Sequence, residues 1–494
     1  MADFDLAVIG GGINGAGIAR DAAGRGLKVV LIEQNDLASG TSSASSKLIH
    51  GGLRYLEHGA LHLVRAALGE REVLLRMAPH LIRPLRFVLP LDAARRSPML
   101  IRLGLLVYDW IGRREILPGT RALDLISDEA GQPLKRRFHH GYEYSDCFTD
   151  DARLVVLNAV DAAERGAVIR TRTRCVRGER TDAWRLVLNA RGRRDVVTAR
   201  VLVNAAGAWV ETVAETVLRQ PAPRRLRLDK GSHIVVRRLY DHDRAYILQA
   251  ADGRVVFAIP FERDFTLIGT TDRSFSGDPA AVAPTGEEID YLCGVINAYF
   301  RTTIGAADVV WAFAGVRSLY EDGAGKPQDI GRDYALILDK RFGEAPLLTV
   351  YGGKLTTFRR LAEDVLDRLA HFFPRSRPWT ATSPLPGGDF VYDGAPALIA
   401  RTQRRWPFLT EDHARRLVGA YGTRVESVLK TAARLDDLGM GFGADLTAAE
   451  VRYLMTKEWA VTADDVLWRR SKLGLRFSAA QRATLDRFMA PGGG

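Results

Sequence analysis

Residues 5–33 constrain the fold most. Asp5–Ile9 is an apolar run suited to a buried strand, and Gly10-Gly-Gly-Ile-Asn-Gly15 follows it. Ala16–Ala23 has helical composition, and Lys28–Glu33 is a second apolar run ending in an acid. Strand, Gly-x-Gly-x-x-Gly, helix, strand and acid together predict a Rossmann-type dinucleotide unit. Gly10 permits the tight turn, Gly12 admits a pyrophosphate close to the backbone, and Gly15 lets helix and strand approach. The helix start offers free N–H groups and partial positive charge to phosphate. Glu33 is placed to accept from a ribose 2′-hydroxyl and would repel a 2′-phosphate.

The next stretch, Ser39–Glu57, is dense in Ser, Thr and Gly and ends in His50, Arg54 and Tyr55. Such a run packs no core; it suits a loop that wraps a cofactor. Two further glycine-rich turns favour FAD over NAD. Arg200–Trp209 reads as a buried strand ending in small residues, and Tyr351–Phe358 as a glycine turn leading into the helical pattern Arg359–Leu369. N–H groups at that helix start suit negative charge on a flavin ring.

Composition adds bounds. A chain of 494 residues holds two or three domains, and 47% hydrophobic with 26% charged residues is ordinary for a globular protein. Three scattered cysteines, Cys147, Cys175 and Cys293, suggest neither a disulfide framework nor a metal cluster. No signal peptide is expected, nor any apolar stretch near the roughly 18 residues of a membrane span. The net charge of +11 fits a solvated basic surface, or attraction to lipid head groups, nucleic acid or a phosphorylated substrate.

Taken together, Val8–Gly17, Thr41–Glu57, Lys230–Val236 and Gly352–Thr357 closely resemble the FAD-dependent, quinone-linked glycerol-3-phosphate dehydrogenases, of the D-amino-acid-oxidase-like flavoproteins. Tyr144–Cys147, Asp150–Leu154 and Ile268–Asp272 extend the similarity, and the C-terminal part looks like that family's helical domain. Two departures are Ser318, where the family commonly has proline, and Ala205-Ala-Gly-Ala208 in place of Ala-Thr-Gly-Pro. Both alter loop stiffness and neither removes a charge.

The resemblance implies oxidation of sn-glycerol 3-phosphate to dihydroxyacetone phosphate, with FAD bound non-covalently and electrons passed to ubiquinone or menaquinone. Arg54, Tyr55, His233, Thr270, Arg317 and Lys354 would contact substrate. Arg317 and Lys354 would orient the glycerol oxygens. His233, in a small-residue turn, is the first choice for base, because an imidazole of ordinary pKa ~6.5 suits proton transfer near neutrality; His50 is second. Cofactor contacts are expected at Gly10, Gly12, Ile13, Asn14 and Gly15, and at Glu33 and Gln34. The hydroxyl-rich loop adds Thr41, Ser42, Ser43, Ser46, Lys47, Leu48, Ile49 and His50. Val176, Ala206, Gly207 and Trp209, then Gly353, Lys354, Leu355 and Thr356, complete the set.

The expected fold is α/β plus α, with three parts. A discontinuous FAD-binding domain takes 1–75, 140–215 and 330–385. An interleaved, mostly antiparallel substrate domain takes 76–139 and 216–329. An all-helical C-terminal domain takes 386–494, after a linker at Thr380–Gly388. Thr447–Glu450 has capping-box spacing. In Arg95–Arg114, Leu100, Leu103, Val107 and Ile111 fall at helical spacing between basic ends, with Tyr108 and Trp110 among them. That helix either packs on the core or lies in the lipid interface. The resemblance favours a monotopic protein on the cytoplasmic face of the inner membrane, as a homodimer. Rival readings are an oxygen-using oxidase of the same ester, an amino-acid or amine oxidase, and a basic FAD protein that binds RNA. No aromatic-basic motif supports a nucleic-acid partner.

Overall fold

The computed structural model describes residues 2–52, 61–92, 98–112, 115–321 and 334–490. Its first sheet places strands in the order Ala335–Asp339, Leu347–Tyr351, Arg193–Asn204, Phe4–Ile9, Val29–Ile32, Val168–Arg170. The pairs from Leu347–Tyr351 to Val168–Arg170 are parallel. All four residues of Val29–Ile32 are buried, as expected of a strand covered on both faces. Helices Ile13–Gly24, Asp151–Glu164 and Phe358–Arg368 cover one face through Ala16, Ala19, Val155, Ala159 and Leu361. The hairpin Thr173–Arg180 and Trp184–Ala190 covers the other, with Trp184 and Leu186 buried. Small residues set the helix spacing: a Cβ on Gly17 would lie 2.7 Å from the Phe358 ring.

The second sheet has ten strands and is antiparallel except where Ala245–Gln249 runs parallel to Ile82–Pro90. Its longest pair is Arg225–Arg237 with Val309–Glu321. The expected boundary at residue 140 is corrected here. Strand His140–Thr149 pairs with Ile82–Pro90, with Tyr144 opposite Phe87 and their rings stacked at 5.4 Å, so it belongs to this sheet. Leu48–Ile49 pairs with it in turn. His233 is also corrected: it lies inside the long strand, not in a turn before it.

The C-terminal part packs its own core from Trp406, Leu417, Tyr421, Val451, Leu454, Val466 and Leu485. It is helical apart from the hairpin Gly441–Gly443 with Leu446–Thr447, so the all-helical expectation needs that amendment. Thr447 precedes helix Ala448–Lys457 without a side-chain cap, and Glu450 receives Arg416 and Tyr421, so the capping box does not form. Nor is 380–388 a free linker: Thr380 and Leu385 are buried, and the Leu385 N–H donates to the Met77 carbonyl.

Helix Pro98–Ile111 buries Leu105 and Tyr108 and packs Ile101 and Ile111 on the same core. The expected stripe through Val107 and Ile111 is therefore corrected. The exposed apolar face runs through Met99, Leu100, Leu103, Leu106 and Trp110, with Met99 and Trp110 each 82% exposed. No helix among the described residues is long and apolar enough to cross a membrane.

Candidate active site

The glycine turn after the first strand forms a cradle that side chains would fill. Gly10 has φ +117°, and a Cβ there would lie 2.4 Å from the Ala205 carbonyl oxygen. A Cβ on Gly15 would lie 1.9 Å from the Gly10 carbonyl oxygen. Gly12 precedes helix Ile13–Gly24 with no side-chain cap, so most of that helix start faces outward as donors. Gly353, at φ +94°, closes the other side, where a Cβ would meet the Asn14 amide at 2.6 Å. The Asn14 amide nitrogen donates to the Gly352 carbonyl at 3.0 Å, while its Oδ1 is buried without a partner.

Glu33 accepts the Gly11 N–H through one oxygen and the Asn35 N–H through the other, both at 2.7 Å. Burial raises its pKa, and those two N–H groups work against the rise. Each oxygen keeps a lone pair for a ribose hydroxyl. Gln34 beside it is exposed, and Val176 lies half-exposed in the outer hairpin.

The hydroxyl-rich loop is held largely by protein groups. Thr41 donates to the Val316 carbonyl at 2.7 Å, and Ser42 accepts the Ile13 N–H at 3.0 Å. Ser45 Oγ donates to Asp151 at 2.7 Å, and Ser46 Oγ lies 2.9 Å from His233 Nε2. Lys47, at φ +59°, is fully buried and pairs with Asp151 at 2.7 Å while donating to the Ser43 carbonyl. The loop thus joins the two sheets, with Gly315 close against Ala44. Leu48 and Ile49 are buried in the second sheet behind it. Ala206, Gly207 and Trp209 form the turn after Arg193–Asn204, and the Trp209 ring reaches Gly40.

His233 stacks on Phe313, and its Nδ1 is buried without a partner. Burial first, then Lys47 and Arg317, pushes its pKa down to about 3. The expectation of an ordinary imidazole is corrected accordingly: the ring is neutral at working pH. His50 also has its pKa lowered, by burial, which Asp146 opposes and Lys354 and Arg71 reinforce. Its backbone meets the Thr356 hydroxyl at 3.4 Å, tying the loop to the Gly352–Thr357 turn that carries Lys354 and Leu355. Arg317 lies two positions beyond Gly315 on the strand face of Phe313 and pairs with Asp272 at 2.8 Å. Thr270 donates to the Thr271 carbonyl at 3.0 Å, directly beside Gly231. Arg54 and Tyr55 lie outside the described residues.

His233, Ser46, Lys47, His50, Arg317, Lys354 and the glycine cradle are therefore gathered where the two sheets meet. Asp151, Phe313 and Asp272 complete the site without having been singled out from sequence. Asp151 and Asp272 fall within stretches that carry the resemblance; Phe313 left no signal beyond its strand. Unpartnered buried atoms on Asn14, Thr357 and His233, together with the cradle, fit a bound dinucleotide with its ring end toward His233.

Comparison with known proteins agrees. The model of the FAD dependent oxidoreductase family matches residues 5–359, and that of the C-terminal domain of alpha-glycerophosphate oxidase matches 378–490. The chain is 52% identical to a glycerol-3-phosphate dehydrogenase of Pseudomonas aeruginosa, covering 98% of this chain and 95% of the relative. It is 49% identical to a D-erythritol 1-phosphate dehydrogenase of Brucella abortus, over 97% and 96% of the two chains. The structure of a glycerol-3-phosphate dehydrogenase from Bacillus halodurans complexed with FAD superposes with a TM-score of 0.78 at 29% identity, over 99% of this chain and 90% of that one. The chain thus belongs to the FAD-dependent oxidoreductases and, within them, to the glycerol-3-phosphate dehydrogenase family.

Proposed function

We propose that this protein oxidises sn-glycerol 3-phosphate to dihydroxyacetone phosphate and passes the electrons through FAD to a membrane quinone, ubiquinone or menaquinone. The observation that carries the reading is the placement of Arg317 and a neutral His233 at one face of the paired strands, beside the dinucleotide cradle. A phosphate dianion calls for such a guanidinium, whose fork matches its oxygens. FAD, when bound, supplies the hydride acceptor.

The protein's groups do the rest. Arg317 and Lys354 hold the phosphate and glycerol oxygens, joined by Arg54, Tyr55 and Thr270. His233 accepts the hydroxyl proton. Its imidazolium is disfavoured in the free enzyme by burial and two cations. The substrate's negative charge offsets those cations, so the base strengthens when substrate arrives. Ser46, bonded to Nε2, holds the ring orientation.

The exposed stripe from Met99 to Trp110 supports a monotopic contact, apolar side chains entering the lipid interface at the cytoplasmic face of the inner membrane. A homodimer completes the reading. Anaerobic addition of glycerol 3-phosphate should bleach the flavin, and a quinone should restore it. Failure to bleach overturns the substrate assignment; reoxidation by oxygen with peroxide release, and none by quinone, replaces the dehydrogenase with an oxidase.

A further inference from the structure

The C-terminal part reaches into the FAD site through a buried charge cluster. Asp150 and Asp151 are consecutive carboxylates at the start of helix Asp151–Glu164. Asp150 caps that helix through the Arg153 N–H and receives Lys472 Nζ at 3.0 and 3.1 Å. Asp151 receives Lys47 Nζ at 2.7 Å and Ser45 through both its hydroxyl and its N–H. Side chains of Lys47, Asp151 and Lys472 are at most 1% exposed, whereas Asp150 keeps 22%. Enclosure disfavours the Asp150 charge, yet Lys472 and then Lys47 outweigh it and hold the carboxylate below its usual range. Glu262 lies nearby, and burial pushes its pKa up, toward the neutral form.

The same C-terminal segment touches the site by two more routes. Trp468 stacks on Trp311 at 4.5 Å, Trp311 lies tilted against Phe313 at 4.5 Å, and Phe313 stacks on His233 at 4.9 Å. Arg470, fully buried, clasps Asp36 at 2.7 and 2.8 Å, three residues beyond Glu33.

We propose that Lys472 is a positioning residue of the FAD site. It completes a charge-balanced quartet with Asp150, Asp151 and Lys47 that holds residues 43–47 where Ser46 meets His233. Adjacent carboxylates in a poorly solvated place require both cations; with one removed, an uncompensated charge is left beneath the flavin loop. This inference rests on the FAD site and is independent of which polyol phosphate is oxidised.

The test compares holoenzymes of Lys472→Met, Lys472→Arg, Asp150→Asn and the double variant Lys472→Met with Asp150→Asn. Two readings are taken: FAD loss on dilution, followed by flavin fluorescence, and the flavin midpoint potential, equilibrated against a reference dye. Lys472→Met should speed FAD loss by about tenfold or more and shift the potential negative, since it leaves excess negative charge. Lys472→Arg should retain both properties. The double variant should return FAD loss to within about threefold of the parent and restore the potential, because charge balance is regained. A Lys472→Met protein that keeps its FAD and potential overturns the proposal, as does a double variant impaired by the sum of the singles. Should Lys472→Met not accumulate folded, Asp150→Asn alone decides: a positive shift in potential supports the quartet, and an unchanged potential overturns it.

Discussion

The imidazole of His233 lies flat on the ring of Phe313, with 4.9 Å between centroids and 10° between planes. The two residues face each other across antiparallel strands, so the register of the second sheet sets the plane of the ring. With one face covered and Nε2 on Ser46, the remaining polar atom is a buried Nδ1.

His233→Asn should lower kcat by about a hundredfold or more, the usual contribution of a positioned base. Its folded pKa of about 3 means the wild-type ring does not titrate near neutrality. The acid limb of kcat/KM should therefore keep its position in the variant while the plateau falls. Near-normal turnover would remove His233 as the base, whereas a limb displaced by the substitution would show that the ring titrates near neutrality after all.

His80 is buried, both ring nitrogens lack partners, and burial with Arg153 and Arg424 pushes its pKa down to about 3. A folded pKa below the unfolded value of ~6.5 means that the unfolded chain binds the proton first. Stability is then lost as pH falls below about 6.5, by about 2 kcal/mol between about pH 7 and pH 5 for this one group. His80→Leu should flatten the fall in urea midpoint over that window. An unchanged slope would show that the ring is protonated in the native state.

Gly10→Ala meets both strain and a clash, since φ is +117° and the new Cβ falls on the Ala205 carbonyl. Gly26→Ala shares the positive φ, at +84°, but enters open space. The first should be purified largely without FAD and be destabilised by several kcal/mol; the second should lose about 1 kcal/mol and keep its cofactor. Equal FAD content in the two would discount the cradle.

Arg317→Ala should raise KM for glycerol 3-phosphate by about tenfold to a hundredfold, the worth of charge-assisted hydrogen bonds to phosphate. Arg317→Lys should recover only part, because it keeps the charge and loses the fork. A variant altered in kcat alone would place the guanidinium elsewhere than on the phosphate.

Trp110→Glu, on the outer face of helix Pro98–Ile111, should cut sedimentation with anionic vesicles by about tenfold and leave activity with a soluble dye acceptor unchanged. Undiminished vesicle binding would move the membrane contact to another surface.

Much of this was legible in local pattern. The turn from Gly10 to Gly15 announces itself because only glycine fits where a Cβ would fall on neighbouring backbone, and the helical character of the C-terminal part is likewise local. The capping box at Thr447 failed because Arg416, remote in sequence, claims Glu450. Local spacing cannot register a competitor of that kind.

By itself, the sequence determined the dinucleotide unit and the hydroxyl-rich loop, since these are properties of residue type at short range. Only the tertiary structure decided that Lys47 meets Asp151, that Lys472 balances Asp150, and that His233 is neutral. The reason is physical: a charge acquires its partner and loses its water only when strands and helices far apart in the chain close around it.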